Sequence, residues 1–428
     1  MTAEIAVMNE EAVALAADSA VSGPTKVFTS ANKIFALSKH HPVAIMVNDN
    51  ARFLGVPWET IIKNYRSQLG ERSFRTVREY AANFLGFFDQ PNPLFPAPAQ
   101  VDCNEKLFAR FFGAIFSVII GKLEQRIDEG ESLTRRKIER QVSAVVLEFH
   151  RILVDEPSTP SLPHDHAVRV ANAYQSAIER AIDNAFQKLP VSVKTCEHLK
   201  EIAGALASIR RPNPLCPWHS GLVIAGFGSD ENFPSLYSFD LDTIALNRLK
   251  YSEGQATKIG PEGTPAVVRA FAQQDQVATF MEGIDGTTAE AITAYLRLRL
   301  PALVAEVADK AGFDDATKQE LSVDMQEWCE TTSSLFEDVL KDRRRAVYGP
   351  IVRVVAMMPK DELAAMAESL VNLTSFKRKV TEEAETVGGP IDVAVISKGD
   401  GLIWVKRKHY FKPELNQQFF ANYYRKGR

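Results

Sequence analysis

The sequence predicts an α+β fold in which short β-strands alternate along the chain with two long helical segments. Apolar residues alternate with small or polar ones over residues 5–7 and again over 13–17, a pattern typical of β-strands. The polar cluster 9–11 between them predicts a turn, so the two strands should run antiparallel. Helical periodicity covers residues 77–189, interrupted by Pro-rich breaks, and returns over residues 289–348.

Shorter elements complete this pattern. Residues 43–47 form a continuous apolar run, which predicts a buried strand. An amphipathic helix is expected over 57–65, with Pro57 suited to its first turn, and another from Pro359 to residue 376. Residues 402–405 are expected to form an edge strand, followed by a basic and aromatic tail.

Composition limits the class of protein. The chain has 428 residues, 45% of them hydrophobic and 24% charged, as in an ordinary soluble protein. A net charge of -4 gives no electrostatic reason to expect nucleic acid or a membrane surface as partner. The four cysteines lack Cys-x-x-Cys spacing, which argues against a zinc site and favours a reducing compartment. No secretory signal or membrane-spanning run is recognised, so we expect a cytoplasmic protein without metal or cofactor.

The candidate site begins at Thr2. If Met1 is removed, Thr2 carries a free α-amine beside its hydroxyl, which supplies a base and a nucleophile in one residue. The predicted hairpin brings Asp18 back beside Thr2, and a third strand over 27–35 would place Lys33 alongside. A lysine ammonium favours the neutral, basic form of the amine, and a carboxylate would keep that lysine charged. Many globular proteins begin with Met-Thr, and an aspartate at a strand end is usually a turn residue; the three residues together favour chemistry.

Several segments resemble proteasome β-type subunits and the related bacterial proteasome-like peptidases, which are N-terminal-nucleophile hydrolases. The resemblance covers Thr2, residues 16–19 (Ala-Ala-Asp-Ser) and residues 32–34 (Asn-Lys-Ile). Residues 221–240 resemble the central hairpin of that family, and residues 387–396 resemble its closing strand pair. The resemblance implies a four-layer αββα sandwich. It also implies Thr2 as nucleophile, Asp18 as partner of the lysine and Lys33 as the group that tunes the amine.

On this interpretation the two helical segments are insertions in the family core. The predicted domains are listed in chain order: 1–72, first part of the core; 73–217, helical insertion; 218–286, second part of the core; 287–357, second helical insertion; and 358–428, closing helix, strands and tail. The resemblance also implies a sheet-covering helix over residues 265–280. Thr264 would cap this helix, with Pro265 in its first turn, or would replace the serine that the family has in place of Pro261.

Three positions depart from the family pattern. The glycine-rich bend that holds the oxyanion in the family is replaced by Asn-Asp-Asn at 48–50, where a backbone donor would come from Val47 or Asn48. A simple polar turn is an equally good interpretation. Pro261 and Val387 stand where the family has serines. Three further residues are candidates for supporting the nucleophile: Ser19, Glu385 and Thr386.

The implied function is acyl transfer on peptides or unfolded proteins by a threonine peptidase. The resemblance implies a homo-oligomeric ring and a separate ATP-dependent unfoldase as partners. The chain itself has no Gly-x-x-x-x-Gly-Lys-Ser/Thr nucleotide motif. The three departures favour a different possibility, an inactive scaffold or assembly subunit, and hydrolysis of small-molecule amides also remains open. Removal of Met1, substrate specificity, ring size and the role of the insertions are not determined by the sequence.

Overall fold

The computed structural model describes residues 3–22, 26–210, 212–213, 215–284, 286–381 and 387–424. The β-strands are listed here in chain order: β1 Ala3–Asn9, β2 Ala12–Ala17, β3 Val21–Ser22, β4 Val27–Phe28, β5 Ile34–Ala36, β6 Val43–Asn48, β7 Arg52–Phe53, β8 Val56–Pro57, β9 Ser220–Gly226, β10 Ser235–Ala245, β11 Arg248–Lys258, β12 Ala266–Ala272, β13 Asp392–Ser397 and β14 Gly401–Lys406.

The α-helices follow in the same way: α1 Trp58–Leu69, α2 Val77–Gly86, α3 Ala97–Asp128, α4 Arg135–Val154, α5 His166–Ala173, α6 Gln175–Phe186, α7 Val193–Leu206, α8 Asp275–Glu282, α9 Gly286–Lys310, α10 Asp315–Val355, α11 Lys360–Val380 and α12 Gln417–Tyr424. Hydroxyl side chains fix the starts of α2, α4 and α7, because Thr76, Thr134 and Ser192 each accept the backbone N–H three residues later.

The chain divides into two compact units. The first unit comprises Met1–Ser30, Ile259–Val395 and Trp404–Arg428, and the second comprises Ala31–Lys258 and Ile396–Ile403.

The first unit is built on a five-stranded sheet in the order β12-β1-β2-β13-β14. Strands β1 and β2 are buried along their whole length and pair antiparallel, with Glu4 opposite Ala17. The side chain of Asn9 shapes the turn between them, since its Oδ1 accepts the N–H groups of Glu11 and Ala12. Helix α11 packs on both strands through an apolar stripe with helical spacing, listed as Leu363, Ala364, Ala367, Leu370, Val371 and Thr374.

The second unit has a five-stranded sheet in the order β11-β10-β9-β6-β5 and a group of helices. One apolar core lies between this sheet and helices α1 and α2, where the rings of Phe53, Trp58 and Phe88 pack against one another. A second core joins α3, α4, α6 and α7, and includes Phe112 of α3 and Phe186 of α6.

The structure confirms an α+β fold with antiparallel sheets, and it confirms the predicted hairpin of β9 and β10. The helix expected over 265–280 is wrong: β12 occupies its first half and pairs with β1, and only α8 follows. Thr264 therefore precedes a strand and caps no helix there. A short apolar run such as 266–272 fits a buried strand as well as a helix, and pairing with β1 decides between them. The four-layer sandwich and the predicted domain boundaries stay predictions.

The close approach of α5 to α7 gives a first testable prediction. A Cβ added to Gly204 would lie 2.3 Å from the carbonyl oxygen of Ala167, a backbone atom that a side-chain rotation cannot move aside. We therefore expect Gly204→Ala to lower the free energy of unfolding by about 1–3 kcal/mol, measured by urea denaturation.

Gly121 of α3 is the matched control, because a Cβ there meets nothing within 4 Å. Gly121→Ala should raise the free energy of unfolding by up to about 1 kcal/mol, since alanine favours the helix. A Gly204→Ala variant as stable as the wild type would rule out the tight contact between α5 and α7.

Candidate functional site

Asp18 lies beside the start of β1, as the predicted hairpin requires. Its backbone N–H donates to the carbonyl oxygen of Ala3 at 3.1 Å, and its Oδ1 accepts the N–H of Ala3 at 3.0 Å. The residue is 1% exposed. Asp18 therefore holds both backbone polar groups of the residue that directly follows Thr2.

The other carboxylate oxygen of Asp18 fixes a second segment. Oδ2 accepts the N–H of Ala20 at 3.1 Å and the N–H of Gly388 at 3.0 Å. Three backbone donors thus converge on one buried carboxylate, which satisfies a buried charge through hydrogen bonds. This ties the β1–β2 hairpin to the chain that leads into β13.

Ser19 strengthens the same junction. Its N–H donates to the carbonyl oxygen of Gly388 at 3.1 Å, and its hydroxyl donates to the carbonyl oxygen of Pro390. Gly389, between them, has φ +79°, and a Cβ there would lie 2.8 Å from the carbonyl oxygen of Thr29. The Ser19 hydroxyl is therefore used to hold the closing segment in place.

Lys33 belongs to the second unit and directly precedes β5. The single third strand predicted over 27–35 is wrong, because β4 pairs with β3 in a two-stranded ribbon while β5 pairs with β6. The irregular residues between β4 and β5 let the chain pass from one sheet to the other. The Lys33 side chain is buried, with the residue only 4% exposed.

The two predicted oxyanion residues, Val47 and Asn48, are the last two residues of β6. The N–H of Val47 donates to the carbonyl oxygen of Lys33 at 3.0 Å, so this backbone donor is already in use. Asn48 is buried against β9, where a Cβ on Gly221 would lie 2.0 Å from its Oδ1. Asp49 follows with φ +65°, a left-handed conformation that aspartate tolerates.

Three of the predicted site residues, Thr2, Glu385 and Thr386, lie outside the described residues. In the first unit, Asp18 and Ser19 form hydrogen bonds with residues 388–390. In the second unit, the carbonyl oxygen of Lys33 accepts the N–H of Val47.

A charged cluster that was not predicted from the sequence lies in the second unit. The Lys250 ammonium lies 2.7 Å from Oδ2 of Asp242, and both side chains are almost fully buried. Nδ1 of His219 lies 3.0 Å from Oδ1 of the same carboxylate. Nε2 of His219 faces two further carboxylates, Asp240 at 3.6 Å and Asp49 at 3.7 Å.

Burial and neighbouring charges shift the pKa values of Asp242, His219 and Asp240. Burial alone would raise the pKa of Asp242, but the hydrogen bond from His219 and the Lys250 charge outweigh it and lower that pKa. Burial would lower the pKa of His219, but Asp242, Asp240 and Asp49 together raise it above its ordinary value. The pKa of Asp240 is raised, chiefly because the carboxylate is partly desolvated.

One sequence signal would have indicated part of this cluster. Asp240 and Asp242 are two residues apart on a strand, a spacing that places side chains on one face. The register of β10 with β11 shifts between Leu241 and Thr243, so a bulge at Asp242 re-aims its carboxylate. Lys250 lies opposite Thr243, a proximity that sequence spacing alone does not reveal.

Two further findings concern the described residues. Within them, no group of three or more His, Cys, Asp or Glu side chains is arranged to hold a metal ion. Among the helices built from them, none combines the length and the hydropathy needed to cross a bilayer.

Comparison with known proteins gives matches only among solved structures; no family model and no curated protein matches the chain. The helical assembly of the Anbu complex from Pseudomonas aeruginosa matches with 11% identity over 98% of this chain and 93% of that chain, at a TM-score of 0.28. The Anbu (Gly-1) mutant from Hyphomicrobium sp. strain MC1 matches with 10% identity over 99% and 92%, at a TM-score of 0.28. Anbu, an ancestral β-subunit, from Yersinia bercovieri matches with 8% identity over 98% and 94%, at a TM-score of 0.26.

These comparisons overturn the family predicted from the sequence. The matched structures are Anbu proteins, with TM-scores from 0.26 to 0.28, and no family model supports the assignment. The assignment of the chain to the proteasome β-type subunits and bacterial proteasome-like peptidases is therefore wrong.

Proposed function

We propose that the chain is a threonine-type N-terminal-nucleophile hydrolase that cleaves amide bonds in peptides, with Thr2 exposed by removal of Met1. The observation that carries the proposal is the double hydrogen bond between Asp18 and Ala3. These two hydrogen bonds fix the backbone of Ala3, the residue next to the proposed nucleophile.

The anchoring of Ala3 beside the proposed nucleophile supports this proposal. A nucleophile gains most when the reacting atoms are held in a near-attack geometry, and a mobile chain terminus loses that advantage. Thr2 is bonded covalently to Ala3, whose N–H and carbonyl oxygen both pair with Asp18. An enzyme of this kind needs its nucleophile to be attached to a fixed residue, and the buried carboxylate of Asp18 fixes Ala3.

The proposed reaction balances without a cofactor. The Thr2 hydroxyl attacks the amide carbonyl carbon while the α-amine takes its proton, giving a tetrahedral oxyanion. The C–N bond then breaks, the leaving amine takes that proton, and an acyl ester remains on Thr2. Water, deprotonated by the same amine, hydrolyses the ester and frees the hydroxyl.

Two supporting roles stay predictions from the sequence. Lys33 is the proposed cation that keeps the Thr2 amine neutral, and Asn48 is the proposed backbone donor to the oxyanion. Glu385 and Thr386 are weaker candidates for the same support.

Homo-oligomerisation is part of the proposal. Large apolar side chains are exposed on α9 and α10, among them Leu298, Trp328 and Leu335, and such surface supports self-association. A closed ring, unfolded-protein substrates and a separate ATP-dependent unfoldase remain predictions.

The proposal is tested by intact-mass measurement of the purified protein with and without a threonine-directed β-lactone. We expect the mass to lack Met1 and to increase by one probe, because the Thr2 hydroxyl forms an ester with the opened lactone. Thr2→Ala should give no adduct. Thr134→Ala is the matched control: it removes a threonine hydroxyl at the start of α4 and should keep the adduct.

A second candidate function is that of a scaffold without catalysis. Pro261, Val387 and the glycine-free turn at 48–50 favour it. Retained Met1, or labelling that does not depend on Thr2, would reject the hydrolase and favour the scaffold. If labelling does depend on Thr2, Lys33→Ala tests the lysine, and peptide and small-molecule amides offered in parallel separate a peptidase from an amidase.

A further inference from the structure

The turn at 48–50 is attached to the segment before β9 by two contacts of different kinds. Nδ2 of Asn50 donates to the carbonyl oxygen of Pro217 at 2.8 Å, a neutral bond that does not change with pH. Asp49 faces Nε2 of His219 at 3.7 Å, and the strength of this contact depends on the charge of the imidazole.

The groups around His219 determine how the charge of its imidazole affects the contact with Asp49. Nδ1 of the ring is paired with Asp242, so its proton is held there whether the ring is neutral or charged. In the neutral ring, Nε2 then presents a lone pair to the carboxylates of Asp49 and Asp240. In the charged ring, the same nitrogen presents a proton to both.

We propose that His219 is a pH-dependent clasp whose charged ring holds the turn at 48–50 to β10 through Asp49 and Asp240, and releases that turn when it becomes neutral. The charged groups that face the ring come from three elements: Asp49 from the turn after β6, and Asp240 and Asp242 from β10, with Lys250 of β11 behind Asp242. Three carboxylates against one ammonium leave an excess of negative charge, which the second imidazole proton reduces. This inference is independent of the function proposed for Thr2.

The direction of the pH effect follows from linkage. The pKa of His219 is raised in the folded protein, so the folded state binds this proton more tightly than the unfolded state. The stabilisation is complete below the ordinary value of 6.5 and is lost as the pH rises through the raised pKa. The release of the turn is therefore expected above pH 6.5, as the pH rises through the raised pKa of His219.

The backbone of Asp49 allows a clean test. Its φ of +65° is a conformation that asparagine also accepts, so Asp49→Asn removes the charge while keeping the shape of the turn. Its side chain is 40% exposed, so the variant should fold. Asp102→Asn is the matched control, because it neutralises an exposed carboxylate that pairs with Lys106 and not with His219.

The experiment is a pH titration of the full chain with nitrogen-15 in its histidines, followed by NMR. The His219 signal is assigned among the eight histidines by its loss in His219→Gln. We expect Asp49→Asn and Asp240→Asn each to lower the His219 pKa, and Asp102→Asn to leave it unchanged. An unchanged His219 pKa in both aspartate variants would overturn the proposal.

Amide hydrogen exchange at Asn50 supplies the second readout. Its N–H donates to the carbonyl oxygen of Asn48 at 2.8 Å, so exchange reports whether the turn is closed. Protection in the wild type should fall in a step at the His219 pKa, after correction for the intrinsic effect of pH. Asp49→Asn should show no step, and a wild type without a step would reject the release of the turn.

Discussion

Lys250→Met is expected to lower the free energy of unfolding by about 3–5 kcal/mol, because it removes one partner of a buried ion pair and leaves the other charged. The side chains of Lys250 and Asp242 are 2% and 3% exposed, so water cannot replace the lost contact. The substitution also removes the hydrogen bond from the ammonium to the carbonyl oxygen of Leu206. Urea denaturation at pH 7 measures the loss.

Lys106→Met is the matched control for this prediction. Lys106 forms an ion pair with Asp102 at a similar distance, 2.6 Å, but both side chains are more than half exposed. Exposed pairs contribute at most about 1 kcal/mol, so the same substitution there should change stability little. If the two variants lost equal free energy of unfolding, another group would have to compensate the charge of the Asp242 carboxylate in the absence of Lys250.

The Lys250→Met variant also tests the clasp at His219. Without the ammonium, the carboxylate of Asp242 acts on the imidazole with no opposing charge behind it. The pKa of His219 should therefore rise further in Lys250→Met, whereas it should fall in Asp49→Asn. Opposite shifts of the His219 pKa in the two variants would show that local charge, and not a general loosening of the fold, causes them.

Local patterns in the sequence were enough to predict the hairpin of β1 and β2. Both strands alternate around a polar turn, and Asn9 supplies the turn chemistry, so nothing distant is needed to place Asp18 beside Ala3. The helix expected over 265–280 came from the family resemblance, and the sequence of 266–272 fits a buried strand as well as a helix. Its state is decided by pairing with β1, more than 250 positions away in the sequence.

The charged cluster could not be predicted for a related reason. Asp49, His219, Asp242 and Lys250 come from four separate segments, and only the register of the second sheet brings them together. Histidine and aspartate at such separations occur throughout soluble proteins, so spacing carried no signal. The pair Asp240 and Asp242 was visible, but a strand with two acidic residues is ordinarily a solvated face.

Asp18→Ala is expected to cause the other large loss of stability, about 3–6 kcal/mol. The substitution leaves three buried backbone N–H groups, those of Ala3, Ala20 and Gly388, without their acceptor. Each unsatisfied buried donor costs about 1–3 kcal/mol, reduced where water can enter. The effect should appear as a lower midpoint in urea denaturation with an unchanged slope.

A second aspartate tests whether this loss comes from burial. Asp314 also accepts a backbone N–H, that of Thr317 at 2.8 Å, but it lies exposed at the start of α10, so Asp314→Ala should cost much less. Asp18→Asn separates the structural and chemical roles, since it retains one acceptor oxygen and the size of the side chain. If Asp18→Asn folds with most of its stability yet loses the Thr2-dependent adduct, the carboxylate acts on the nucleophile beyond holding Ala3. If Asp18→Ala is as stable as Asp314→Ala, then the three N–H groups find other partners, and the anchoring of Ala3 by Asp18, on which the hydrolase proposal depends, loses its support.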